Sequence, residues 1–298
     1  MKYRLTIFFL LLFALCLPLS ARAALLYFAP SRADFTLGET FLVDIRIDTQ
    51  QECFNAVETT IVYPADILEA VGFNQGNSIL SIWAKPPVID QAGGLISFAG
   101  GVPGGYCGDL PGAAQKTNIL GKIIFKATQT SKNSVQLLFR DSQILLNDGL
   151  GTPASVAQNP AFITISAAKP GQPSDQWQQE IKNDQTPPEQ FQIQLGRDPA
   201  LFDGEYFIAF STTDKQTGVD YYEVKEGENA WQRAQSPYQL KDQRLKSIIK
   251  AKAVDKAGNE QIATLEPLRR AINWGLIFLA LAVLAAFGFF LASRKKRS

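Results

Sequence analysis

Asp66 and Glu69 follow Tyr63-Pro64 at a spacing of three, and they are the nearest this chain comes to paired carboxylates. A glycosidase needs two such acids about 5 to 9.5 Å apart across a cleft, whereas this pair sits in a segment that reads as a solvated turn. The inventory excludes more. With no His anywhere and Met1 as the single methionine, a Ser-His-Asp triad, a Cys-His pair and His-ligated zinc or haem cannot be assembled. The stretch "GGLISFAGGVPGGYCGD" is rich in glycine but lacks the Lys-Ser/Thr of a phosphate loop, so it reads as loops near Cys107. Trp83, Tyr106 and Trp231 could stack on sugars, with core or loop packing as the alternative. No catalytic residue, cofactor or metal is expected. Calcium is the sharper reading of the turn acids Asp214, Asp220 and Asp255, against the ordinary one in which they satisfy turn backbone.

The ends of the chain place these residues. Lys2 and Arg4 lead an apolar stretch that Pro18 interrupts, and Ala21-Arg22-Ala23 supplies a cleavage signal, so residues 1–23 are expected to leave as a secretory peptide cut between Ala23 and Ala24. The uncharged run 272–292 reaches roughly 30 Å as a helix, enough to span a bilayer once; a buried core helix is the other reading. Arg294, Lys295, Lys296 and Arg297 put the tail 293–298 in the cytoplasm, and no LPxTG sorting signal replaces the helix. Everything between is expected outside the cell membrane. Cys53 and Cys107 then lie in an oxidising compartment. A bridge between them would close a loop worth on the order of 4 kcal/mol; two independent buried thiols are the alternative. The formal net charge of +1 gives no basic excess for a nucleic-acid partner.

From about residue 24 to 167 the chain reads as short strands. Phe41, Val43, Ile45 and Ile47 alternate with Asp44, Arg46 and Asp48, and the same period returns at 57–63, 120–128 and 134–139, with glycine pairs and Asn147-Asp148-Gly149 as punctuation. Many strands at close turn spacing indicate a β-sandwich. The ordered segments "FTLGETFLVDIRID", "VYPADILEAVGF", "GLISFAGG", "ILGKIIFKA" and "ILLNDGLGTPASVAQNPAFITI" resemble a cohesin module. That family has a jelly-roll sandwich similar in fold to certain carbohydrate-binding modules, and it holds dockerin-bearing enzymes in assemblies that degrade polysaccharide. The resemblance implies a partner-binding face on the strand before Tyr63, where the family's Asn-x-Asp pair falls on Ala56 and Glu58. Thr60 shares that face with Glu58. One of the two polar contacts is missing, and the family's Tyr-Asp-Pro turn is altered to Tyr63-Pro64-Ala65.

Residues 168–188, "AKPGQPSDQWQQEIKNDQTPP", read as a Pro/Gln-rich linker with a helical turn around Trp177, itself read as packing against a neighbouring domain. Residues 189–267 alternate again, and "FSTTDKQTGVDYYEV" with "AVDKAGNE" resembles bacterial immunoglobulin-like and fibronectin-type domains. In that resemblance Asp255 and Asn259 make the turn before the last strand. The expectation is an all-β protein of two sandwiches plus one membrane helix: a cohesin-like module that binds an extracellular protein partner, dockerin-like or other, on an immunoglobulin-like spacer. Polysaccharide binding by the same sandwich and a structural role in the cell envelope are the alternatives.

Overall fold

The computed structural model describes residues 23–50, 52–108, 117–168, 170–171 and 173–267. The segment up to Arg22 expected to be a secretory signal, the run 272–292 expected to be a membrane helix and the basic tail 293–298 lie outside the described residues. No helix among the described residues is long and apolar enough to cross a membrane. The described chain divides into two compact units: one comprises residues up to Phe191 with Ser211–Glu223 and Lys252–Ile262, the other Gln192–Phe210, Val224–Ala251 and the residues from Ala263.

The first unit is built on eleven strands: β1 (Ala24–Ala29), β2 (Arg32–Thr36), β3 (Thr40–Asp48), β4 (Phe54–Val62), β5 (Leu68–Asn74), β6 (Ile82–Asp90), β7 (Leu95–Tyr106), β8 (Ile119–Ala127), β9 (Val135–Leu146), β10 (Val156–Asn159) and β11 (Ala161–Ser166). They form a five-stranded sheet of order β10-β1-β3-β8-β5 and a six-stranded sheet of order β2-β11-β9-β4-β7-β6. Period two explains how the sheets face each other. Along β3 the side chains of Phe41, Val43, Ile45 and Ile47 are buried while Asp44, Arg46 and Asp48 are not. Rings from opposite sheets meet in the layer between them: Phe28 of β1 stacks on Phe139 of β9 at 4.1 Å, and Phe35 of β2 stacks on Phe41 of β3 at 3.8 Å. Such stacked ring pairs add to area burial in fixing how two sheets pack.

β9 carries a device that strict alternation cannot supply. Phe139 and Ile144 are five residues apart and both are buried, although period two would send them to opposite faces. An extra residue at Asp141, whose φ is 51°, shifts the β4–β9 register between Glu58 and Thr60 and restores the inward aim. The buried Thr59 hydroxyl finds its partner there, in Ser142 Oγ at 2.7 Å.

The segment 168–188 contains helix α1 (Gln176–Asn183), capped by Asp175, whose side chain accepts from Gln178 N at 2.9 Å. The segment is fastened to the five-stranded sheet: Thr40 N donates to Ser174 O, Leu42 N to Gln176 Oε1, and Lys122 pairs with Glu180 at 3.1 Å. Trp177 lies beneath the Lys256 ammonium, 5.7 Å from ring centre to nitrogen.

Downstream, β12 (Gln194–Asp198), β13 (Leu201–Ala209) and β16 (Tyr238–Gln239) form a three-stranded sheet in the second unit. β14 (Val219–Glu226), β15 (Gln232–Ala234), β17 (Ile249–Asp255) and β18 (Glu260–Leu265) form a sheet of order β15-β14-β17-β18. Within the second unit the buried Glu226 carboxylate accepts from Lys241 N, Asp242 N and the Tyr238 hydroxyl. Burial of the phenol, and then the charge of that carboxylate, push Tyr238 up to about 12.

Candidate functional site

The outward face of β9, β4, β7 and β6 is a grid that the pairing registers define. Four rows cross it: Leu138, Val62, Leu95 and Asp90; Arg140, Thr60, Ser97 and Val88; Gln143, Glu58, Ala99 and Lys85; Leu145, Ala56, Gly101 and Ile82. Val57, Thr59 and Ile61 point the other way into the core, which leaves Glu58 and Thr60 outward. Glu58 and Lys85 are two strands apart, roughly 9.6 Å at the usual interstrand spacing. Their side chains nevertheless form an ion pair, because Ala99 between them puts no bulk in the way. The centre of the face is shallow, since Ala56, Thr60, Ser97, Ala99 and Gly101 are all small. Its margin is greasy: Ile82 is 55% exposed, Val88 61% and Leu138 40%. A flat, weakly charged centre with exposed aliphatic side chains around it suits a protein surface better than a small molecule, for which a concave pocket would be needed.

Two of the aromatic candidates, Trp83 and Tyr106, are engaged inside the sandwich. Trp83 packs edge-on against Phe73 at 6.0 Å and tilted against Phe98 at 5.7 Å. Tyr106 sits on Phe54 at 5.6 Å and donates its hydroxyl to Thr117 O; Trp231 is half-buried. Cys53 and Cys107 are joined in a disulfide, 54 residues apart in sequence, which ties the start of β4 to the end of β7 beside the Phe54–Tyr106 pair. Asp66 and Glu69 are exposed, on the turn before β5 and on β5 itself. Ala24 opens β1 and is buried, its amide donating to Ser155 O; Ala23 precedes it.

A second constellation, also within the first unit, involves an aspartate that sequence reasoning did not single out. Asp184, Asp214 and Asp255 are all buried, and one carboxylate oxygen from each lies within 4.8 Å of the others. Asp220 is exposed and outside this group, so the trio of acids read from the sequence is brought together only in part. Each of the three accepts from the N–H two residues on, at Thr186, Gln216 and Ala257. Further donors are Thr217 N and Oγ1 to Asp184, Gly218 N to Asp214, and Asn259 N and Nδ2 to Asp255. Burial, and then the neighbouring carboxylates of Asp184 and Asp255, raise the Asp214 carboxyl above its ordinary value against the pull of its backbone donors. The parallel between "DKQTG" at 214–218 and "DKAGN" at 255–259 was the legible signal; Asp184 lay hidden in the Pro/Gln-rich stretch.

No protein-family model matches the chain, and no curated protein matches it either. Among solved structures it is similar to cohesin modules over about half its length. One, in a type I cohesin–dockerin complex from Clostridium thermocellum, is 12% identical, with 50% of this chain and 97% of that chain covered and a TM-score of 0.38. The seventh ScaB type I cohesin of Pseudobacteroides cellulosolvens is 18% identical, with 50% and 95% covered and a TM-score of 0.37. A cohesin module from a Clostridium perfringens family 33 glycoside hydrolase is 11% identical, with 49% and 97% covered and a TM-score of 0.38.

Proposed function

We propose that this is a non-enzymatic, membrane-anchored surface protein whose cohesin-like sandwich captures an extracellular protein partner, of dockerin type, on the outward face of β9-β4-β7-β6. The observation that carries the reading is the face itself: a shallow centre of small residues crossed by the Glu58–Lys85 pair and bordered by Ile82, Val88 and Leu138. Docking would cover aliphatic side chains that are otherwise left to water, which is the usual source of association energy. The ordered motifs from "FTLGETFLVDIRID" to "ILLNDGLGTPASVAQNPAFITI" support the same reading independently. The anchor is the run 272–292, and residues 189–267 serve as the immunoglobulin-like spacer that holds the module off the membrane. Sugar stacking has less support, because Trp83 and Tyr106 spend their rings on Phe73, Phe98 and Phe54.

The full-length chain in detergent, immobilised and challenged with the secreted proteins of the parent cell, is expected to retain a defined protein partner and to give no signal on a glycan array. Saccharide binding with no protein retained would overturn the proposal. Truncation after Leu268 is expected to release the protein from membranes. Retention of the truncated form through a high-salt wash would show that the final run is not the only anchor.

A further inference from the structure

We infer that Asp184, Asp214 and Asp255 form a calcium site that closes three separate chain segments onto one ion. This inference is independent of the partner-binding reading. The three carboxylates are 5%, 3% and 2% exposed, so water screens their mutual repulsion poorly. Among the described residues, the hydrogen bonds they receive come from neutral donors: backbone amides, the Thr217 hydroxyl and the Asn259 amide. Lys256, the basic residue beside the group, gives its ammonium to the carbonyls of Phe73 and Thr217 at 3.3 Å. None of the three acids has an ion-pair partner among the described residues.

The decisive atom is Asp214 Oδ2. Its sister oxygen accepts from Gln216 N and Gly218 N, whereas Oδ2 is buried with no hydrogen-bond partner among the described residues. An orphaned carboxylate oxygen in a pocket of two further carboxylates suits a cation better than another dipole. The chemistry of the donors selects the cation. All three ligands are hard oxygens, which suits a hard cation and not a soft metal at this site. Oxygens sharing one ion can lie no farther apart than two metal–oxygen bonds, about 4.8 Å for calcium and about 4.1 Å for magnesium. The three oxygens lie within 4.8 Å of one another, inside the calcium limit, and calcium accepts flexible oxygen geometry where magnesium demands a near-ideal octahedron.

The geometry gives the ion a defined task. Asp184 follows α1, Asp214 lies in the turn before β14, and Asp255 ends β17, so one ion would fasten all three. Asn259 Nδ2 already ties Asp184 O and Thr186 O to Asp255, which pre-positions the ligands before metal arrives.

The test is calorimetric titration of calcium chloride into the full-length chain, stripped with chelator and held in detergent, with a melting curve at each endpoint. One saturable site per chain is expected, with a Kd below about 1 mM, as for extracellular calcium modules, and the melting temperature should rise on loading. Asp214→Asn should weaken binding at least tenfold while melting in chelator no lower than the parent, because it removes a buried charge and keeps the oxygen that holds the turn. Asp255→Asn is the second variant should the first fail to fold. Asp220→Asn, outside the cluster, should bind like the parent. No saturable calcium binding, parent-like binding by a folded Asp214→Asn or Asp255→Asn protein, equal losses in Asp220→Asn, or magnesium binding as tight as calcium would each overturn the assignment.

Discussion

Residues 24–166 and residues 184–267 solve the problem of a β interior in opposite ways. Among the described residues, the first region buries no charged side chain; its buried polar residues are Thr36, Thr40, Thr49, Thr59 and Asn74. The second buries Asp184, Asp214, Glu226, Lys252 and Asp255. In the first region, stability comes from hydrocarbon and ring packing, and the proposed function sits on the other side of the same strands, so the two are separable by a change of face. In the second, carboxylates solvated by turn amides hold the chain together, and any ligand they bind is coupled directly to the fold. Substitutions should therefore behave differently in the two regions.

The largest expected effect tests the hydrocarbon interior. Phe98 is 1% exposed and packs on Phe73 and Trp83; Phe98→Ala should lower stability by about 3–5 kcal/mol through lost transfer energy and a cavity. Denaturant unfolding of the full-length chain in detergent reads it, and a loss under about 1 kcal/mol would mean that the layer is not close-packed. Reduction of the Cys53–Cys107 bridge comes next. Its sequence separation of 54 gives about 4 kcal/mol of loop-closure entropy by the chain model, an upper figure in practice. The lower-melting transition after reductant should be that of the first region. Two titratable thiols in untreated, denatured protein would contradict the bridge.

Glu226 tests the other kind of interior. Glu226→Ala strands the amides of Lys241 and Asp242 and the Tyr238 hydroxyl, and hydrogen bonds to a buried charge imply a loss of about 2–3 kcal/mol. Glu226→Gln, which keeps an acceptor, should lose less. The pH dependence follows with its sign. Tyr238 titrates at about 12 in the fold instead of 10.0, so the folded state holds the proton more tightly than the unfolded one. The stability this contributes is fully present below pH 10 and is lost as pH rises through about 12. Tyr238→Phe should flatten that alkaline decline, and an unchanged slope would detach Tyr238 from it.

The regions also differ in how far they can be read before folding. At Phe41, Val43, Ile45 and Ile47 the alternation alone assigns the buried face, because period two is a local property and the core is purely apolar. The same rule places Glu58 and Thr60 outward. It fails at Asp141, where one extra residue reverses the phase of β9 for the sake of Phe139 and Ile144. Such a bulge responds to the partner strand, which no local window contains. The helical turn around Trp177 was legible, but the docking of Gln176 and Glu180 onto the five-stranded sheet was obscured by a composition that otherwise signals an extended spacer. Asp184 was illegible because its partners, Thr217 and Asn259, lie 33 and 75 residues away. Turn acids announce their own loops through Asp-x-N–H turns but not the loops they meet.

The smallest effect on stability should accompany the clearest effect on function. Glu58 is on the outward face, with a side chain 45% exposed and paired to Lys85, so Glu58→Lys should shift stability within about 0.5 kcal/mol. It also sets two like charges side by side at the centre of the face, where complementarity to a partner would be decided. The most direct measurement of the protein-capture account is the affinity of the full-length chain for its retained partner, parent against Glu58→Lys, with melting curves taken on the same samples. The account predicts at least a tenfold loss of affinity at an unchanged melting temperature, and undiminished capture by the folded Glu58→Lys protein would contradict it.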